Sequence, residues 1–157
     1  MPIRTPASLA ALSLILAASI ASAGIEPQTE APPSVQATLK LEVAGIENAK
    51  GKLVIALFAC EKTYESNDNP AYHIILPVTK KGSAHHTFEG LADGNYAIKL
   101  FHDVNANGKL DTNWVGIPRE PYGFSNNPRI RFGPPSFADA KFQLTEAKAT
   151  EHKVVLN

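Results

Sequence analysis

From Asn95 to Asp103 the chain reads NYAIKLFHD. Tyr96, Ile98, Leu100 and His102 point to one side of an extended backbone, and Ala97, Lys99, Phe101 and Asp103 to the other. This period of two constrains the fold more than any other feature, and it recurs along the chain. TLKLEV places Leu39, Leu41 and Val43 on one face, and KLVIALFA is more continuously apolar and therefore predicted to be central. YHIILPVTK carries Pro77, which restricts that strand to an edge or a bulge. AHHTFEGL, AKFQLTE and HKVVLN complete the set, with glycine and asparagine turns between them. No long helical period and no internal repeat interrupt the pattern. The prediction is all-β: one antiparallel β-sandwich of about seven strands. A short helix is expected at 136–140, with Ser136 as its N-cap. One long loop rich in proline, glycine, asparagine and aromatics is expected over 113–136.

The first residues read differently. Arg4 is followed by a mostly apolar run from Ala7 to Ile20, and Ala21-Ser22-Ala23 fits a small-x-small cleavage site. Residues 1–23 are predicted to be a cleavable signal peptide, so the protein is expected to be periplasmic or secreted. Residues 24–36 are polar and proline-rich and read as a disordered spacer. The sandwich domain then occupies 37–157, with no transmembrane segment after cleavage. Basic and acidic residues number 15 each, so the chain is formally neutral. The charges are spread along it, which offers no basic stripe for nucleic acid and no polybasic run for an anionic membrane. Cys60 is the single cysteine, so no internal disulfide can form. It follows the apolar run LVIALFA and is expected to be buried and inert.

HDVNANGKLDTN, His102 to Asn113, is the stretch that bears most on function. Counting from Asp103, Asn105 stands third, Asn107 fifth, Gly108 sixth and Asp111 ninth. This is the first half of a calcium-loop pattern, in which alternate oxygens converge as the backbone curls and the glycine permits the sharp bend. The carbonyl of Lys109 would be the backbone ligand. The twelfth position is Trp114, where a bidentate glutamate would complete the helical version of such a loop. Glu120 or Asp139 would have to supply a distant carboxylate. Two local carboxylates imply weak Ca2+ binding, with a dissociation constant on the order of 0.1 to 1 mM. The alternative is a set of Asx turns that hold the loop's own backbone.

GLADGNYAIKLFHDVNANGKLDTNWVGIPREPYGFSNN and GPPSFADAKFQL resemble the exported bacterial proteins grouped as domain of unknown function 2141 (DUF2141). The resemblance spans nearly all of 38–157. It implies an exported β-sandwich of the transthyretin (prealbumin)-like, immunoglobulin-like kind, as in regulatory domains beside carboxypeptidases. It implies no catalytic residue.

Other chemistry is sparse. His85 and His86 are adjacent on a strand and face opposite sides, which disfavours a shared zinc ion. Ser125 lacks the second glycine of a nucleophile elbow, and Asn126 and Asn127 are expected to hold the loop's own backbone. His102 beside Asp103 is the one candidate acid–base pair, although neighbouring strand residues diverge. Trp114, Tyr122 and Phe124, with Phe132 and Phe137, could face a glycan, a peptide or an envelope protein, or could cap an open end of the sandwich. Arg119, Arg129 and Arg131 could pair with Glu120 or Asp139, or face an anionic ligand. The reading is a non-catalytic exported binding module with a calcium loop; the alternative is a hydrolase-like enzyme using His102 and Asp103.

Overall fold

A computed structural model describes residues 36–130 and 133–157. The expected signal peptide and nearly all of the expected spacer lie outside the described residues, as do Arg131 and Phe132. Eight strands and two short helices follow in the order β1 (Ala37–Ile46), β2 (Lys52–Phe58), α1 (Glu61–Ser66), β3 (Tyr72–Pro77), β4 (Gly82–Leu91), β5 (Gly94–Asp103), β6 (Tyr122–Phe124), α2 (Phe137–Ala140), β7 (Phe142–Leu144) and β8 (Ala149–Val155).

The strands form two sheets, ordered β4-β1-β8 and β3-β2-β5-β6, with β7 pairing the start of β5. The predicted all-β sandwich is what forms. β2 is central, between β3 and β5, and Pro77 lies on the edge strand β3. The extra strand, β6, is three residues long, too short to show a period in sequence. The pairing is antiparallel except where β8 runs parallel to β1, from Thr38 opposite Ala149 to Ala44 opposite Val155.

The alternating pattern becomes the inter-sheet core. Leu39, Leu41 and Val43 of β1 meet Leu53, Ile55 and Leu57 of β2 and Ile98 and Leu100 of β5, all buried. Removing each such side chain from water contributes about 1.5 to 3 kcal/mol. On the outer face of the second sheet a smaller cluster gathers Phe58, Tyr64, Ala97, Phe137 and Ala140. The Tyr64 ring stands edge-on to Phe58 at 5.5 Å and to Phe137 at 5.6 Å. Lys99 Nζ lies 4.0 Å over the Tyr64 ring and donates to the Tyr64 carbonyl at 2.6 Å. Burial lowers the Lys99 pKa, and Glu65 opposes that shift.

Helix α1 is not foreshadowed by the sequence pattern. Tyr64 is its one buried residue, so no apolar stripe announces it. Its start overturns the expectation for Cys60. The chain leaves β2 at Phe58, and Cys60 becomes the N-cap of α1, exposed rather than buried. Ser136 caps α2 as predicted, its hydroxyl accepting from the Asp139 amide at 3.2 Å.

Strand directions bring four segments to one end of the sandwich: the β1–β2 turn, the β3–β4 turn, the β5–β6 connection and the end of β8. Val78 N donates to Gly51 O at 3.0 Å, which ties the first two together.

Candidate functional site

The β5–β6 connection, residues 104–121, is ordered by its own side chains. Asp103 closes β5 and is fully buried (0 % exposed). Its Oδ1 accepts the Asn107 amide at 3.0 Å and its Oδ2 accepts the Gly108 amide at 2.7 Å. Asn105 Oδ1 accepts the Asn107 amide at 3.0 Å, and Asn107 Oδ1 accepts the Lys109 amide at 2.8 Å. The two asparagines also converge on Asp111. Asn105 Nδ2 donates to Asp111 Oδ2 at 2.6 Å, and Asn107 Nδ2 donates to Asp111 Oδ1 at 3.0 Å. Ala106 and Gly108 take positive φ, 62° and 81°, which curls the backbone around this point.

Glu120, of the two distant carboxylates, is the one brought here. It is buried, with Oε1 accepting the Val104 amide at 2.9 Å and Oε2 the Asp111 amide at 3.1 Å. Asp139 lies on α2 at the opposite end of the fold, where it accepts from Ser136 Oγ at 2.6 Å.

These contacts bear on whether a cation fits. Side chains at the third, fifth and ninth positions already meet within hydrogen-bond distance, and the Asp103 oxygens are held by amides that leave lone pairs free. The asparagines turn their amide nitrogens toward Asp111, so coordination requires their carbonyl oxygens to turn in. Among the described residues no three side chains of His, Cys, Asp or Glu form a metal-holding group. As folded, the Asn105 and Asn107 amide oxygens accept the backbone amides of Asn107 and Lys109, so the loop satisfies its own polar groups.

Beyond Asp111 the chain rises into a hairpin. Arg119 N donates to Asp111 O at 2.7 Å, Thr112 bridges to Pro118, and Asn113 N donates to Ile117 O at 2.8 Å. Asn113 Oδ1 accepts the amides of Val115 at 3.0 Å and Ile117 at 2.9 Å, which closes the tip. The tip presents Trp114 at 94 % exposure, with Val115 at 53 % and Ile117 at 60 %. A Cβ added to Gly116 would meet nothing within 4 Å, so the tip projects into open space.

The candidate aromatics do not form one cradle. Trp114 stands alone on the hairpin. Tyr122 and Phe124 lie half-buried on β6, ring to ring at 5.9 Å. Phe137 belongs to the small core under α1 and α2. The His102–Asp103 pair is placed unfavourably for acid–base chemistry. Both residues are fully buried, His102 points to the inter-sheet side with Nε2 2.7 Å from Lys50 O, and Asp103 points the other way.

Ser125 is buried and structural. Its Oγ accepts the Ile98 amide at 2.8 Å and donates to Ala140 O at 2.6 Å. Asn126 and Asn127 hold neighbouring segments rather than their own loop. Asn126 Nδ2 donates to Asp139 O and Lys141 O, and Asn127 spans Lys153 O and the Val155 amide. Arg119 is not paired with Glu120. The ion pairs among the described residues are Lys40–Glu151 at 3.9 Å and Lys153–Glu42 at 2.9 Å, both on the sheet surface.

Two sheets face to face, with one self-bracing polar loop and a projecting hairpin at one end, define an all-β sandwich domain. The chain belongs to a bacterial family whose description is "Uncharacterized protein conserved in bacteria (DUF2141)"; the family model matches residues 41–152. Comparison with curated proteins and with solved structures found no match. No helix among the described residues is long and apolar enough to cross a membrane.

Proposed function

We propose that this protein is a non-catalytic binding module of the bacterial cell envelope that works through the hairpin at 111–119. The observation that carries this is the near-complete exposure of Trp114 at the tip of a hairpin closed by defined hydrogen bonds. Folding leaves the indole in water although full burial of a large apolar side chain is worth about 1.5 to 3 kcal/mol, and Trp is a residue type enriched at binding interfaces. The buried, divergent His102 and Asp103 make the enzyme reading the weaker one. Export rests on the leader pattern at 1–23. Glycan, peptide and envelope protein are the candidate partners.

The loop below the hairpin is a weak Ca2+ site in this reading. Asp103, Asn105, Asn107, Asp111 and the Lys109 carbonyl supply the oxygens, and the ion would stiffen the base from which the hairpin rises. The test is co-sedimentation of the purified domain with isolated bacterial envelopes. Trp114→Ala with Ile117→Ala should abolish association while unfolding stability stays within about 0.5 kcal/mol, as for exposed sites. Undiminished association of that variant would reject the hairpin as the binding element.

A further inference from the structure

The fold does to charge what the sequence does not. Lys50, Lys52, Lys80, Lys81, Lys109 and Arg119 are scattered along the chain, yet strand direction brings all six to the end that carries the hairpin. Lys52 Nζ reaches the Ala106 carbonyl at 3.4 Å, which places it against the loop itself. Lys80 and Lys81 sit on the β3–β4 turn that Val78 ties to Gly51. The acids at this end are mostly withdrawn. Asp103 and Glu120 are buried against backbone amides, Asp111 is half-buried between two asparagine amides, and Glu47 is the exposed one among the described residues. The opposite end is weighted slightly the other way, with six carboxylates (Glu61, Glu65, Asp68, Asp93, Asp139, Glu146) against five cations (Lys62, Lys99, Arg129, Lys141, Lys148) among the described residues.

We propose that the partner of this end is an anionic lipid bilayer, with Trp114, Val115 and Ile117 entering the interface and the six cations facing the headgroups. The proposal rests on the reading of the hairpin as the binding element and puts lipid in place of a glycan, peptide or protein as what it binds. Shape favours a bilayer over a protein. A Trp side chain offers at most about 250 Å2, and adding parts of Val115 and Ile117 leaves the tip well below the ~800 Å2 per partner of a standard protein interface. A projecting tip finds no matching pocket on a flat surface, whereas a bilayer adapts to it. The indole has an apolar body and one N–H donor, which suits the boundary between acyl chains and headgroups. Each cation near an anionic surface adds roughly 1 kcal/mol, so six of them and one inserted tip make a reversible attachment of the kind that needs two signals. The charge asymmetry orients the domain, hairpin first.

Trp114 is the single tryptophan, so its own fluorescence reads the event. The domain is mixed with vesicles of phosphatidylcholine alone or of equimolar phosphatidylcholine and phosphatidylglycerol, and emission and co-sedimentation are followed. Blue-shifted emission and co-sedimentation are expected with the anionic vesicles and not with the neutral ones, and high salt should weaken both. Trp114→Ala should lower partitioning roughly tenfold or more. Lys80→Gln with Lys81→Gln should lower it about fivefold per charge removed. Unshifted emission with both vesicle types, or partitioning that Trp114→Ala leaves unchanged, overturns the proposal. Polyphosphate bound as tightly as the vesicles, with unshifted emission, also overturns it. If vesicles fail but detergent-extracted, lipid-free envelopes still retain the domain through Trp114, the hairpin remains the binding element and its partner is not lipid.

Discussion

Glu120 holds Asp111: its Oε2 accepts the Asp111 amide at 3.1 Å while its Oε1 accepts the Val104 amide at 2.9 Å. One buried carboxylate thus clamps both ends of the polar loop and the foot of the hairpin. Glu120→Ala leaves two part-buried amides without acceptors, each worth about 1 to 3 kcal/mol. The expected loss is about 2 to 6 kcal/mol in urea unfolding, with faster hydrogen exchange at Val104 and Asp111. Unchanged exchange at both amides would show that the clamp is not what orders the loop.

The proposed Ca2+ site, if the loop binds the ion, predicts a stability difference. At 100 times the dissociation constant, a ligand adds about 2.7 kcal/mol. For a domain of this size that raises the unfolding midpoint by roughly 4 °C or more. Asp111→Ala should remove the difference between calcium and chelator, because Asp111 is where Asn105 and Asn107 converge. Identical midpoints for the wild type in about 100 mM calcium, 100 times the weaker dissociation constant, and in chelator would reduce the loop to a set of Asx turns.

Two glycines should respond differently. A Cβ on Gly51 would run into the Asp103 carbonyl oxygen and the Val104 backbone, at φ 79°. A Cβ on Gly108 would meet nothing, at φ 81°. Gly108→Ala should therefore carry only the left-handed penalty, about 1 to 2 kcal/mol. Gly51→Ala adds a further 1 to 3 kcal/mol for overpacking. Equal losses in thermal unfolding would contradict this packing of the β1–β2 turn on the end of β5.

His152 sets a pH dependence. Its ring stacks on Phe142 at 4.3 Å and its Nε2 accepts the Asn126 amide at 3.1 Å, so the folded state holds it neutral. Burial lowers its pKa below the ordinary 6.5. Below that value the unfolded chain binds a proton that the folded chain resists, so stability is complete above pH 6.5 and declines as the pH falls through and beneath it. His152→Gln keeps an acceptor but cannot titrate, and should flatten the slope of unfolding free energy on the acid side of pH 6.5.

Cys60 should react with a thiol reagent in the native protein at the rate of an accessible cysteine. Its Sγ lies 3.3 Å from Thr63 Oγ1, and this hydrogen bond leads the effects that lower its pKa from the usual value. Its reactivity should therefore rise at a lower pH than that of an ordinary thiol. Reaction only after denaturation would restore the buried placement.

The alternation of side chains is enough to determine every strand but β6, the sandwich and most of its core, because a period of two on a half-buried sheet is set locally, residue by residue. The same local logic exposed the Ser136 cap and the oxygen-bearing positions from Asp103 to Asp111. What local pattern does not carry is which segments meet. Helix α1 with its single buried tyrosine, the parallel return of β8 beside β1 and the exposure of Cys60 all follow from long-range packing. So does the choice of Glu120 over Asp139 as the loop's clamp, since only the paths of β5 and β6 decide which carboxylate arrives. The gathering of six separated cations at the end that carries the hairpin has the same origin. Strand direction, a property of the whole sheet, places residues as far apart in sequence as Lys50 and Arg119 at one end, and charge that is dispersed in the chain is collected only in the fold.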